Sequence, residues 1–252
     1  MSKNVPASVL LGLAMLACSL VVPSANASVI LPMDAADLVD QAELIVVATA
    51  VDKEVIASGD GSFPFTFVTF EIKKSFKGRS QEAELRLRFH GGELAEEVVE
   101  VVGMPTFEIG ETYLLFLQDN GTSTVPIVGW RQGSYRLGVD GSRNQVVLDE
   151  SGRSLYGILE GRWLRGRLEG EELSAGIEVL SVEGVEVEPA EDELVAHGAT
   201  PPPVAHVFGE LQRLIDKRQG LSTFRPGRTM GSASLAEVPW SVGGEAQRPP
   251  RH

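Results

Sequence analysis

Leu44-Ile45-Val46-Val47-Ala48-Thr49-Ala50-Val51 is an unbroken run of β-favouring, uncharged residues. A strand with one wet face alternates apolar and polar residues, whereas this run offers no polar face. It is therefore expected to be a central strand buried on both faces. Its neighbours follow the same logic. Upstream, residues 34–43 predict a short helix: Asp34 is the cap, and Ala35, Leu38, Val39 and Ala42 recur at helical spacing. Downstream, Gly59-Asp60-Gly61-Ser62 is turn chemistry. Phe65 to Phe76 then sets Val68, Phe70 and Ile72 on one face.

Glu84 to Phe89 is the cleanest alternation in the chain. Leu85, Leu87 and Phe89 point one way, and Glu84, Arg86 and Arg88 the other. Residues 98–102, 113–117, 134–139 and 145–148 predict further strands, the last two joined by a turn at Asp140-Gly141. Short strands separated by glycine-rich turns imply a closed barrel or a sandwich. Beyond residue 150 the pattern weakens. Residues 153–188 carry apolar segments (Ile177, Val179, Leu180 and Val182 among them) separated by glutamates, which suggests solvated, irregular hairpins. Glu186 to Glu193 reads as an acidic surface or linker. Thr200-Pro201-Pro202-Pro203 is a stiff lead-in to the strongest helix, residues 204–218. There Val204, Val207, Phe208, Leu211, Leu214 and Ile215 form one apolar stripe, Lys217 and Arg218 suit the last turn, and Gly220 can end it. Such a stripe docks on its own barrel or, as the alternative, on a partner.

The chain begins with a lone positive charge at Lys3, an apolar run from Val9 to Val22, and Pro23-Ser24-Ala25-Asn26-Ala27. This is the pattern of a secretory signal peptide cleaved after Ala27, leaving Ser28 first. Lipid attachment at Cys18 is the minor alternative, and marks a lipoprotein. Export places the mature chain in the periplasm or outside the cell. Cys18 is the one cysteine, so a chain starting at Ser28 has neither disulfide nor thiol chemistry. The net charge of the full chain is −13, and loss of Lys3 makes it more acidic still. That field repels nucleic acid and anionic lipid, so neither is an expected partner. The expected organisation is a signal peptide over 1–27, a barrel domain over 28–150, an acidic β-rich extension with a proline-rich linker over 151–203, an amphipathic helix over 204–219 and a disordered tail over 220–252.

The search for chemistry yields little. None of the histidines (His90, His197, His206, His252) stands in a His-Glu-x-x-His motif. His206 and Glu210 are four apart on the predicted helix, a spacing two metal ligands can share, but no third ligand accompanies them. Asp140 to Asn144 begins like a calcium loop, yet Gln145 and Ser151 occupy positions where that loop needs glycine and glutamate, so a hairpin is expected. Asn120-Gly121-Thr122 reads first as a turn. No catalytic residue, cofactor or metal site is assigned. The segments most suited to recognition are Gly103 to Phe107 and Gly129 to Gly133. Their candidate partner-binding residues are Met104, Pro105, Trp130, Arg131 and Gln132. The competing reading makes both segments plain turns, with Trp130 capping the core.

One resemblance rests on the order of segments over residues 34–140. Ala36-Asp37-Leu38-Val39-Asp40-Gln41-Ala42-Glu43-Leu44-Ile45-Val46-Val47-Ala48 is followed by Phe70-Glu71-Ile72-Lys73-Lys74-Ser75-Phe76-Lys77-Gly78 and Gly103-Met104-Pro105-Thr106-Phe107. Gly110-Glu111-Thr112-Tyr113-Leu114-Leu115-Phe116-Leu117 and Gly129-Trp130-Arg131-Gln132-Gly133-Ser134-Tyr135-Arg136-Leu137 complete the series. This layout resembles a family of exported, uncharacterised bacterial domains. More distantly, it is similar to the OB-like barrel of tissue inhibitors of metalloproteinases and netrin-like modules. The resemblance implies a mainly β fold: a small antiparallel, OB-like Greek-key barrel that binds proteins, here with a short N-terminal and a C-terminal amphipathic helix. Those inhibitors chelate a protease zinc through an N-terminal cysteine and are braced by disulfides. Ser28 and the lack of cysteine depart from that pattern, and fold does not fix function. The expected function is an exported, non-catalytic protein-binding or structural module of unknown partner, the candidate partner being another exported, protease-like protein. The alternatives are a metalloprotease inhibitor and a hydrolase whose carboxylates meet only in the fold.

Overall fold

The computed structural model describes residues 31–61, 63–94, 97–118, 125–141, 143–167, 180–182, 185–189, 194–197, 200–221 and 229–230. The predicted signal peptide with Cys18 and the Ala27–Ser28 junction lies outside them. So do Asn120-Gly121-Thr122, Ile177, Val179 and most of the stretch 220–252.

Among the described residues the chain is mainly β, with two α-helices. Helix α1 (Ala35–Gln41) leads into strand β1 (Leu44–Ala57), which is followed by β2 (Pro64–Lys77), β3 (Arg79–Ser80), β4 (Glu84–His90), β5 (Gly92–Leu94) and β6 (Glu97–Val99). Next come β7 (Thr112–Leu117), β8 (Ser134–Val139), β9 (Gln145–Leu148), β10 (Leu155–Leu159) and β11 (Arg162–Gly166). Strands β12 (Leu180–Val182), β13 (Val185–Pro189) and β14 (Leu194–His197), helix α2 (Val204–Leu221) and β15 (Thr229–Met230) complete the described elements.

The principal sheet has the order β4-β2-β1-β7-β8-β9, antiparallel throughout. A meander of three strands is thus flanked, on the side of its first strand, by a chain segment that returns after β4. This is the strand order of an OB-like barrel, and the sheet stays open because no ladder joins β8 or β9 back to β4. Register shifts at Ile45/Val46, Val47/Ala48 and Ala50/Asp52 bend β1. Such bulges increase twist and let one sheet wrap over a core.

β1 is central, as its sequence requires. Leu44, Val46, Ala48 and Ala50 belong to one apolar cluster with Val68, Phe70, Leu85, Leu87, Phe89, Tyr113 and Leu115. Ile45 and Val47 face the opposite way, into a second cluster with Leu38, Leu114, Phe116, Tyr135 and Val207. Helix α1 contributes Ala35, Leu38 and Val39 to that second cluster, all buried. The stripe of α2 does the same: Val207, Leu211 and Ile215 have no exposed surface, and Val204, Phe208 and Leu214 pack partly buried beside them, so this helix docks on its own chain. Arg218 in its last turn reaches Asp40 of α1, Nε donating to Oδ1 at 3.0 Å.

Two expectations need correction. Residues 98–102 do not join the principal sheet; only Glu97–Val99 is a strand, and it pairs with β5 in a separate hairpin. The acidic segment from Glu186 is not a plain linker either. Val185–Pro189 forms β13, which pairs antiparallel with β12 and β14 in a second sheet ordered β10-β11-β14-β13-β12. The glutamates do not forbid a ladder, because strand pairing uses backbone groups, whatever the charge of the side chains. Within the stretch 220–252, Thr229–Met230 pairs in parallel with Arg79–Ser80.

The second sheet shares its core with the first. Leu155 of β10 and Trp163 of β11 are buried in the cluster built on Phe116 and Tyr135, and the Trp163 ring lies 5.1 Å from that of Tyr135. Ala36 N donates to Gly161 O at 2.8 Å, tying the start of α1 to the β10–β11 turn. Near the same end of β10, Glu210 of α2 accepts a hydrogen bond from Ile158 N. Glycine suits position 157, where φ of 157° disfavours a side chain and a Cβ would meet the tip of the Glu210 carboxylate. The common core predicts one cooperative unfolding transition. Trp163→Ala leaves a large void at the junction and should cost about 3–5 kcal/mol. Urea unfolding followed by far-ultraviolet circular dichroism checks this, and two separate transitions would contradict a shared core.

Candidate functional site

The five residues singled out in the sequence come to two different places. Pro105 is buried and Met104 half-buried in the segment that closes the first apolar cluster. That segment ends at Phe107, whose ring stands edge-on to Phe70 at 5.0 Å and to Tyr113 at 4.9 Å. The Tyr113 hydroxyl, in turn, accepts from Glu108 N at 2.9 Å. Residues 103–107 therefore plug the inside of the curled sheet. Trp130 packs half-buried against the same cluster. Its backbone has φ of 62°, in the left-handed region, directly after Gly129 at φ 62°. Such a conformation is uncommon for a bulky residue and is held by its surroundings.

The unusual backbone has a consequence for the next two residues. A 3-10 turn over Trp130–Gly133 carries Arg131 and Gln132 away from the first cluster and onto the rim of a cleft of about 330 Å³. Three distant chain segments and one strand meet there: Pro32 to Asp34 before α1, Arg131 to Tyr135, Asp149 to Arg153 after β9, and Arg165 of β11. Gln132 joins two of them, its Oε1 accepting from Met33 N at 2.8 Å. Arg131 bridges to Glu150, Nε to Oε2 at 2.6 Å. That pair is well exposed, so its worth is small.

Asp149 organises the floor. It is the one charged residue among the described buried side chains. Its Oδ1 accepts from the backbone N–H groups of Ser151 and Arg153, both at 2.9 Å, which shapes the turn after β9. Its Oδ2 meets Arg153 Nε at 3.2 Å and Arg165 Nε at 3.4 Å. Every oxygen of this carboxylate is thus matched to donors, and two guanidinium planes are held by their Nε edges. Tyr135 closes the cleft from below. Burial, the largest influence, pushes its hydroxyl pKa well above the ordinary tyrosine value, so the phenol stays protonated and serves no base chemistry.

This arrangement suits binding more than bond making. A general base or nucleophile needs lone pairs aimed at a substrate, and those of Asp149 are aimed at its own chain. Guanidinium planes, by contrast, recognise carboxylates and amide oxygens in a fixed fork. The signal that would have pointed here from sequence is Asp149 with Arg153 four residues on, plus Arg165 on the strand after next. That spacing is ordinary in a chain of this charge density and gains meaning only when β9, β10 and β11 are placed side by side.

The other sequence candidates are structural. Asp140 closes the β8–β9 hairpin, its Oδ1 accepting from Asn144 N at 2.8 Å and its Oδ2 from Asn144 Nδ2 at 3.1 Å. His206 does lie near Glu210, Nε2 to Oε1 at 3.5 Å. The other oxygen of Glu210 is the one that receives Ile158 N, so this carboxylate fixes the helix to β10.

Asp149→Ala should be costly, since it removes a shared counter-ion from two largely buried arginines and unties the turn after β9. Loss of one partner from a buried ion pair costs about 3–5 kcal/mol. Denaturant unfolding of the purified variant measures this, and a loss below about 1 kcal/mol, the value typical of a surface pair, would show that Asp149 does not organise the cleft.

A scan against protein-family models finds no match to this chain, and a search of curated proteins finds none either.

Proposed function

We propose that the chain is an exported, non-catalytic module that binds another exported protein through the Arg131–Gln132 rim and the arginine-lined cleft beside it. The observation that carries this reading is the saturation of Asp149 by four donors. It converts an acidic centre into a rigid mount for two guanidinium groups. A partner that inserts a carboxylate, an amide or a chain terminus would exchange the exposed Arg131–Glu150 pair for a better enclosed one. Side chains already locked in place lose little freedom on binding, which favours affinity. Export follows from the amino-terminal pattern, with Ser28 as the first mature residue. The kinship with metalloproteinase inhibitors and netrin-like modules is proposed at the level of the barrel alone, because this chain has no cysteine beyond residue 18.

The test has three arms. Chemical crosslinking in intact cells, followed by reconstitution with the purified partner, should give a complex that Arg131→Glu weakens by about tenfold or more, the usual scale for reversing a charge at a specific contact. A complex that is indifferent to Arg131→Glu and Gln132→Ala would place the interface elsewhere. Titration of the mature protein against secreted zinc proteases separates the inhibitor reading: no loss of protease activity at micromolar concentrations is expected. Amino-terminal sequencing of the exported chain should begin at Ser28, and retention of residues 1–27 would refute the export assignment.

A further inference from the structure

The strands β1, β2 and β4 carry a second distinctive surface on the face opposite Val68, Phe70, Leu85 and Leu87. Strand alternation puts Phe65 and Phe67 of β2 there, beside Arg86, Arg88 and His90 of β4 and Glu54 and Ile56 of β1. The register confirms the neighbours: Ile56, Phe65 and His90 form one row across the sheet, and Glu54, Phe67 and Arg88 the next. Phe63, from the β1–β2 turn, extends the first row, its ring 5.6 Å from Phe65 and 5.8 Å from His90. The Phe65 and His90 rings meet edge-on at 4.8 Å.

Two arginines lie on this aromatic floor, and they differ. Arg86 stands 4.5 Å from the Phe67 ring centre and is neutralised by Glu54, Nη2 to Oε2 at 2.7 Å. Arg88 stands 5.1 Å from the Phe65 ring centre. Among the described residues its side chain forms no hydrogen bond and no ion pair. The residue as a whole is half-buried, and its guanidinium lies over an aromatic ring. Burial and the neighbouring Arg88 lower the His90 pKa, so at neutral pH the imidazole is uncharged and can both donate and accept.

An unpaired cationic fork in a chain of net charge −13 marks a place where an anion is attracted against the general field. The rings flanking it add flat apolar surface. Backbone groups of β2 are occupied on both sides by β1 and β4, so recognition on this face falls to side chains. A peptide laid across this face, rather than along the outer edge of β4, would have no main-chain ladder of the kind that gives extended peptides their affinity. A saturated sugar ring needs none: its C–H face can lie on Phe63 and Phe65, its hydroxyls can meet His90 and Glu54, and a ring carboxylate can take the Arg88 fork. We propose that this face binds an oligosaccharide built of carboxylate-bearing rings, independently of the cleft at Asp149.

The probe is tetragalacturonate, titrated by calorimetry and by amide chemical shifts into the mature full-length chain, with its methyl ester and a glutamate-rich peptide of equal charge as comparisons. Binding of the acid form is expected, weakened by at least about tenfold in the ester, in high salt and in Arg88→Gln. Arg88→Lys, which keeps the charge and loses the fork, should fall between. Shift changes should centre on Phe63, Phe65 and His90. Comparing acid with ester on the unaltered protein decides the matter even where Arg88→Gln folds poorly. The proposal is overturned by absence of binding at millimolar tetragalacturonate, by equal binding of acid and ester, by an Arg88→Gln variant that is folded and binds normally, or by tighter binding of the peptide.

Discussion

Everything else in the structure depends on β1 having no wet face over its first half. A strand so placed must be flanked by partners on both edges and covered on both sides. β2 and β7 supply the edges. The sheet's own curl, closed by residues 103–107, covers one side, and α1, α2 and the β10–β11 hairpin cover the other. The two apolar clusters are therefore parts of one problem with one solution. A charge at Leu44, Val46 or Ala48 would disturb the first, and one at Ile45 or Val47 the second. The second half of β1 is different: from Val51 onward it is largely exposed, and there the sheet's outer surface can carry side chains chosen for contact.

The elements with strong periodicity were legible from residues alone. The apolar stripe of α2, the capped turn of α1 and the alternation of Glu84 to Phe89 each state which side is inside, and the structure follows them. The acidic strands β12 to β14 were not, because their pairing is fixed by contacts distant in the chain. β11 and β14 run parallel, Leu164 beside Leu194, a partnership no local pattern announces. Val98 to Val102 misled for the converse reason. The valines have strand propensity, yet Val102 is 92% exposed and the segment turns away to serve as a connection. Propensity describes what a residue tolerates, and tertiary contacts decide what it does.

The candidate site was half legible. Arg131 and Gln132 stood out as interface types, and they do reach a cleft. What makes the cleft is Asp149, an unremarked aspartate at the end of a short strand. Its importance arises from burial and from two arginines brought to it by β9, β10 and β11. Met104, Pro105 and Trp130 had the composition of a recognition loop but pack against the core, Pro105 buried and the other two partly so. The outer face of β2 and β4 was visible as alternation; only the assembled sheet revealed that Arg86 has a counter-ion and that Arg88 has none among the described residues.

The contact between Gly157 and Glu210 constrains how this protein can change over generations. The backbone at 157 has φ of 157°, a conformation that side chains rarely adopt, and the Glu210 carboxylate lies where a Cβ would stand. Glycine is favoured there on both counts, and trimming residue 210 removes only one of them. Across descendants, the glycine should therefore be replaced less often than the glutamate.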